Sequence, residues 1–157
     1  MREKINLKKL NKLKILQLVE PSENLKESYL KKSEESLLST KYLYEKSQYN
    51  DSISLSYFSM YNSLLALFYV CGIKCENHNA SIYLLKELFS IENTGIKKAK
   101  TERRDKQYYP SFSTNKEEVS NAIESAEEFN AEILDFIEKL TSKQIKNYRE
   151  KLSILLK

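Results

Sequence analysis

Residues 52 to 73 read SISLSYFSMYNSLLALFYVCGI and contain no charged side chain. A run of this length must be enclosed by something other than water, and it is long enough to cross a hydrocarbon core of about 30 Å. Its first half argues against lipid. Ser52, Ser54, Ser56, Ser59, Ser63 and Asn62 place polar groups along it, and a helix surrounded by other helices can satisfy such groups locally, whereas a lipid-facing one cannot. Ile53, Tyr57, Met60, Tyr61, Leu64, Leu67, Phe68 and Cys71 advance by threes and fours, which is the helical period. The stretch therefore predicts a buried central helix, roughly 33 Å long at 1.5 Å per residue, with the remaining chain packed around it.

That remaining chain has little punctuation. Two glycines and two prolines among 157 residues leave long uninterrupted segments, which favours an all-α fold over many short strands. A chain of 18.5 kDa can bury one core without metal or disulfide. The expectation is a single domain, 1–157, folded as an antiparallel up-and-down bundle of four to five main helices, with its core over about 22–140. Flanking helices are expected at 5–19 and 142–156, and a short basic helix near 97–109. Pro21 ends the first segment, and Ser22 or Asn24 can cap a second helix carrying Leu30, Leu37 and Tyr44 at seven-residue intervals, flanked by Leu25, Leu38 and Tyr42. Asn50 or Asp51 can cap the charge-free helix, and Gly72 can close it. IKCENHN reads as a loop before the helix ASIYLLKELFS. Thr114 or Asn115 then opens a long helix with Glu117 and Glu118 in its first turn.

Several chemistries are excluded by the residues present. There is no glycine-rich phosphate loop, no HExxH and no nucleophile elbow. Cys71 and Cys75 have no second pair or histidine cluster to complete a zinc site, so a buried thiol and a loop thiol are expected, with no metal and no cofactor. The N-terminal MREKINLKKLNKLKILQL lacks the apolar core and cleavage site of a secretory signal, which places the chain in the cytoplasm, without a membrane span. The amphipathic segment 5–19 either packs its leucines on the bundle or a partner, or lies in a membrane interface. A net charge of +4 favours an approach to anions, RNA among them, without requiring one.

The stretch TERRDKQYYP, residues 101–110, places Arg103 and Arg104 ahead of Tyr108, Tyr109 and a helix-stopping proline. It is either a solvated basic helix end or an anion site to which Lys100 and Lys106 add charge. In order and spacing, SYFSMYNSLLALFYVCGIK, then HNASIYLLKEL, then ERRDKQYYP before a long acidic helix resemble the HEPN domains (higher eukaryote and prokaryote nucleotide-binding), over roughly residues 25–140. Tyr57, Phe58, Ser59, Met60, Tyr61 and Asn62 match the family's aromatic-rich helix. His78 matches a histidine that opens the next helix, and Arg103 to Tyr108, or Arg104 to Tyr109, an arginine-led turn.

The resemblance implies a homodimer whose arginines face one cleft. It implies an RNA-binding or metal-independent endoribonuclease module, on the toxin or accessory side of a minimal nucleotidyltransferase; a non-catalytic nucleotide-binding or scaffolding subunit is the alternative. Arg103 and Arg104 would hold phosphate with Lys100 and Lys106, Tyr108, Tyr109 and His78 would surround the cleft, and Asn62 would be a buried or dimer-interface polar group. In family nucleases a histidine follows the arginine by four to six residues. This chain lacks it. Arginine can stabilise phosphate charge, but tyrosine moves protons at neutral pH far less readily than histidine.

Overall fold

In the computed structural model, which describes residues 4–108 and 113–157 and only the backbone of 106–108, the all-α bundle forms as expected. Among the described residues the elements run α1 (Leu7–Lys12), β1 (Leu16–Leu18), α2 (Glu23–Glu45), α3 (Tyr49–Val70), β2 (Ile73–Cys75), α4 (His78–Glu87), α5 (Thr94–Tyr108), α6 (Lys116–Lys139) and α7 (Ser142–Leu155). The charge-free stretch is α3, and it lies at the centre, against α2, α5 and α6. Most of its apolar window is buried in the bundle. Tyr57, Leu64, Leu67 and Phe68 on it are fully buried.

The serines of α3 explain how closely α2 approaches. Ser33 and Thr40 are the buried residues of α2, whereas Leu38 and Tyr42, expected beside its apolar stripe, are 66% and 61% exposed. Small residues let the two backbones close together, and their hydroxyls bond across the contact. Ser33 Oγ donates to the Ser59 carbonyl at 2.7 Å, Ser59 Oγ donates to the Ser33 carbonyl at 2.8 Å, and Ser52 Oγ donates to the Thr40 carbonyl at 2.8 Å. Asn130 of α6 joins them, its Nδ2 donating to Ser59 Oγ at 2.9 Å and its Oδ1 accepting from Ser63 Oγ at 2.8 Å. Asn130→Ala should lower stability by about 1–2 kcal/mol, because the buried serines lose a partner. The urea midpoint of the variant measures this.

Local structure differs from expectation in four places. The segment 5–19 is a single turn and a half of helix, then a left-handed turn at Lys14 (φ 59) and a strand. β1 pairs antiparallel with β2 in register Leu16↔Cys75, Gln17↔Lys74, Leu18↔Ile73, so IKC is a strand and not a loop. Leu7 and Leu16 turn into the core, whereas Leu13 stays exposed. Cys75, taken as a loop thiol, is buried like Cys71, and burial pushes the Cys71 thiol up to about 12. α3 starts at Tyr49 with Gln48 as its N-cap and no side-chain cap bond, so neither Asn50 nor Asp51 caps it. The basic helix begins at Thr94, earlier than expected, after a buried Asn93 whose Nδ2 donates to the Ile82 carbonyl at 2.8 Å.

Other boundaries follow their local signals. Ser22 caps α2, Asn115 caps α6, and Thr141 with Gln144 forms a capping box on α7. Gly72 follows the Cys71 C-cap at φ +70. From α7, Arg149 Nη1 donates to the carbonyls of Val19, Cys71 and Gly72 at 2.7, 3.1 and 2.9 Å, tying the C-terminal helix to the end of α3 and the ribbon.

Candidate functional site

Three helices converge on one side chain of α3. Tyr57 is fully buried, and its hydroxyl reaches the first turn of α4. That turn is fixed by Asn77, whose Oδ1 accepts from the Ala80 N–H at 2.9 Å, so His78 is the first helical residue. Tyr57 Oη lies 2.7 Å from His78 Nδ1. Tyr61, one turn along α3, stacks on the imidazole with ring centres 3.9 Å apart and planes 13° from parallel. The histidine is thus held by α3 in both position and rotation.

α5 supplies the cations. It packs along α3 and sets the Arg103 guanidinium 4.7 Å from the Phe58 ring centre and 5.7 Å from that of Tyr57, both within cation–π range. One turn earlier, Lys100 Nζ donates to Asn79 Oδ1 at 2.7 Å. Arg103 Nε is buried and has no hydrogen-bond partner among the described residues. An N–H in that state costs about 1–3 kcal/mol unless an acceptor meets it. Arg103, Lys100 and His78 therefore form one cluster, built from the start of α4 and the middle of α5.

Charge and burial set the protonation states. The His78 imidazole sits below its ordinary value of 6.5, because burial disfavours the cation and Lys100 and Arg103 repel it. Burial, then Tyr61, pushes the Tyr57 phenol well above the usual tyrosine range, with Arg103 opposing. Lys100 is lowered by burial and by the two neighbouring arginines. Tyr57 therefore keeps its proton, and when it donates that proton to Nδ1, neutral His78 carries its own on Nε2. In this tautomer the imidazole is a hydrogen-bond donor and has no free lone pair for a general base. A guanidinium, an ammonium, an N–H donor and the positive end of α4 suit the oxygens of a phosphate.

His78 is the chain's one histidine, so its imidazole NMR signals need no assignment. They should titrate with a midpoint below 6.5 and show the Nε2–H tautomer above it. Tyr57→Phe should raise the midpoint, since the donor that favours the neutral ring is gone. An unchanged midpoint would contradict the lock. The sign for stability follows: with the folded value depressed, the unfolded chain binds this proton first, so His78's share of stability is present above 6.5 and is lost as pH falls towards the folded value.

Arg104 has a side chain 62% exposed and pairs with its neighbour Asp105 at 3.6 Å, and it lies near enough to Lys100 to help lower that ammonium. Asn62, expected as a buried or interface amide, is half-buried on the outer face of α3 and makes no side-chain hydrogen bond among the described residues. The side chains of Lys106 and Tyr108, and Tyr109 altogether, lie outside the described residues. Tyr57, Tyr61 and Asn79 were not expected at the site. For the two tyrosines the sequence signal was the placing of hydroxyl-bearing aromatics, in place of phenylalanine, on a buried helix; Asn79 had none.

The family model for the HEPN domain matches residues 26–140, nearly all of α2 together with α3 to α6. α1, β1 and α7 fall outside the match. No curated protein matches the chain.

Proposed function

The chain belongs to the HEPN domain family, and we propose that it is a homodimeric RNA-binding module that holds a backbone phosphate at Arg103, Lys100 and His78 and leaves the strand uncut. The observation that carries this reading is the 2.7 Å contact between Tyr57 Oη and His78 Nδ1. Cleavage at neutral pH needs a group that takes the 2′-hydroxyl proton and another that protonates the leaving oxygen. The histidine of the family's arginine motif is absent. In this reading Tyr57 donates to Nδ1 and holds His78, which stands beside Arg103, as a donor. The imidazole can hydrogen-bond a phosphate oxygen but cannot accept the hydroxyl proton, and Tyr57 is too weak an acid to relay one.

A ribonuclease reading draws on the nearness of His78 to Arg103, and one assay separates the two. Purified protein with single-stranded RNA in EDTA is expected to bind, with Arg103 required, and to leave the RNA intact. Arg103-dependent cleavage products would establish the nuclease instead. A free nucleotide presents the same phosphate chemistry, so the alternative of a nucleotide-binding scaffold would show as equal affinity for mononucleotide and RNA.

For the dimer, support comes from α3. Leu55, Phe58, Asn62, Leu65 and Tyr69 are half-buried at alternating spacings of three and four, the pattern of one helix face that seats a partner. Arg103 lies over Phe58 at the edge of this stripe, so a two-fold copy packed there would bring both Arg103 residues to one cleft. Light scattering should give twice the 18.5 kDa chain mass, and Leu65→Glu should give the monomer. A monomeric parent at micromolar concentration would overturn the shared cleft. As a protein partner we propose a minimal nucleotidyltransferase in the cytoplasm, with this chain on the toxin or accessory side; failure of the two to co-purify would remove it.

A further inference from the structure

Outside the residues that match the family lies a basic arm with no assigned role. From Lys4 to Val19 the chain has no acidic residue. Lys4, Lys8, Lys9, Lys12 and Lys14 are all exposed, and none makes an ion pair among the described residues. Elsewhere on the surface, Lys26, Lys41, Lys74, Lys86 and Lys139 pair with carboxylates. The arm therefore presents five lysines that form no ion pair among the described residues.

The arm is also fixed in place, which a solvated basic tail would not be. Leu7 and Leu16 are buried, and Leu10 packs against the core. Asn6 Oδ1 accepts from the Lys9 N–H at 3.0 Å, and Asn11 Nδ2 donates to the Leu16 carbonyl at 2.9 Å. Ordering lysines in advance lowers the entropy lost when they meet a charged partner. Lys14 even takes a left-handed backbone conformation at φ 59, which costs a side chain more than it would glycine.

Strand pairing places this charge beside the candidate site. The Glu76 N–H donates to the Ile15 carbonyl at 2.9 Å at the end of the ribbon. Lys14 is the next residue outward on one strand, and Asn77 and then His78 follow on the other. The same end of α4 that carries His78 and Asn79, the latter bonded to Lys100, thus borders the lysine arm.

We propose that the lysine arm is a second phosphate-binding surface, continuous with the site at Arg103, and that the ligand is a single-stranded RNA whose backbone runs from one to the other. This rests on the reading of Arg103, Lys100 and His78 as a phosphate site and adds a second surface, which the same strand reaches and a mononucleotide does not. An anionic lipid surface would present similar charge, but a membrane-bound arm needs an apolar face. Here the leucines point inward except Leu13.

The test compares the full chain with a variant carrying Lys8→Gln, Lys9→Gln, Lys12→Gln and Lys14→Gln. These side chains are exposed and unpaired, so the variant should keep the parent's urea midpoint. Affinity for a single-stranded RNA oligonucleotide and for a mononucleotide is measured over a range of salt. The variant should lose about 0.7 in the slope of log affinity against log salt for each lysine that meets a phosphate. It should bind RNA at least about tenfold more weakly at low salt and the mononucleotide as before. An unchanged slope and affinity, with RNA binding still lost in Arg103→Ala, would overturn the arm and leave the site intact. RNA binding that needs the arm but not Arg103 would overturn the continuous track, together with the site reading. Loss of binding to phosphatidylserine vesicles with RNA binding unchanged would overturn it in favour of a membrane.

Discussion

Arg103→Ala is expected to weaken single-stranded RNA binding by roughly thirty- to a hundredfold, the loss of one or two charge-assisted hydrogen bonds, without lowering stability. The two halves of this result come from one feature. The guanidinium is held on the Phe58 and Tyr57 rings with a buried Nε that has no partner in the protein among the described residues. Removing it takes away the donor for a phosphate and also an unmet polar group, so the folded state should lose little. Arg103→Lys keeps the charge but not the planar donor stacked on an aromatic face, and should restore only part of the affinity. Arg104→Ala should change binding by less than about threefold, because an exposed side chain paired with Asp105 is screened by solvent. Equal effects of Arg103→Ala and Arg104→Ala would mean that the arginines act as a general basic patch and not through the cluster on α3. Fluorescence anisotropy with labelled RNA measures all three variants.

The largest expected loss of stability is at Gly72. Its φ of +70 is one that side chains rarely adopt, and a Cβ there would meet Arg149 Nη1, the Val19 carbonyl and, at 2.9 Å, Pro21 N. Two of those neighbours are backbone, and the third is the guanidinium nitrogen that binds the Val19, Cys71 and Gly72 carbonyls. None can move without opening the junction of α3, the ribbon and α7. Gly72→Val should therefore cost about 3–5 kcal/mol, combining backbone strain with overpacking. If the variant proves too unstable to purify, Gly72→Ala and Arg149→Ala measure the same junction. Losses of about 2–3 kcal/mol are expected for each, and the double variant should lose less than their sum, since both open one contact. A Gly72→Val urea midpoint equal to the parent's would rule out the clasp.

The sequence made some of this legible and concealed the rest for identifiable reasons. α3 stood out because a charge-free stretch with helical spacing has few alternatives. α6 showed its cap and acidic first turn, and α7 was expected as the flanking helix 142–156. The N-terminal segment misled because Leu7, Leu10 and Leu13 keep helical spacing while the β1 residues that follow gain their partner only across the ribbon, from Ile73 to Cys75. Long-range pairing leaves no local mark. In α2 the leucine spacing drew attention to Leu38 and Tyr42, yet the contact with α3 is made by Ser33 and Thr40. Serines that bond reciprocally to backbone carbonyls bury as well as small apolar residues, and hydropathy assigns them to the surface.

The site was half visible. Arg103, His78 and Lys100 could each be named, and the family resemblance set them round one cleft, but no local pattern shows the contact that joins them. The link is Tyr57, which meets His78 through its hydroxyl and Arg103 through its ring. The arginines looked equivalent in sequence. On α5 their adjacent positions point in different directions, which leaves Arg103 on aromatic rings and Arg104 in solvent.

One measurement reaches the proposed site without inference from mutants. The imidazole signal of His78 can be followed while single-stranded RNA is added in EDTA, because the chain contains no other histidine. The expected result is a saturable shift that tracks RNA binding, with the ring kept in its Nε2–H tautomer, the RNA intact at the end and the shift absent in Arg103→Ala. RNA that binds without moving the His78 signal, or RNA cleaved during the titration in an Arg103-dependent way, would contradict a donor-locked phosphate site on α3, α4 and α5.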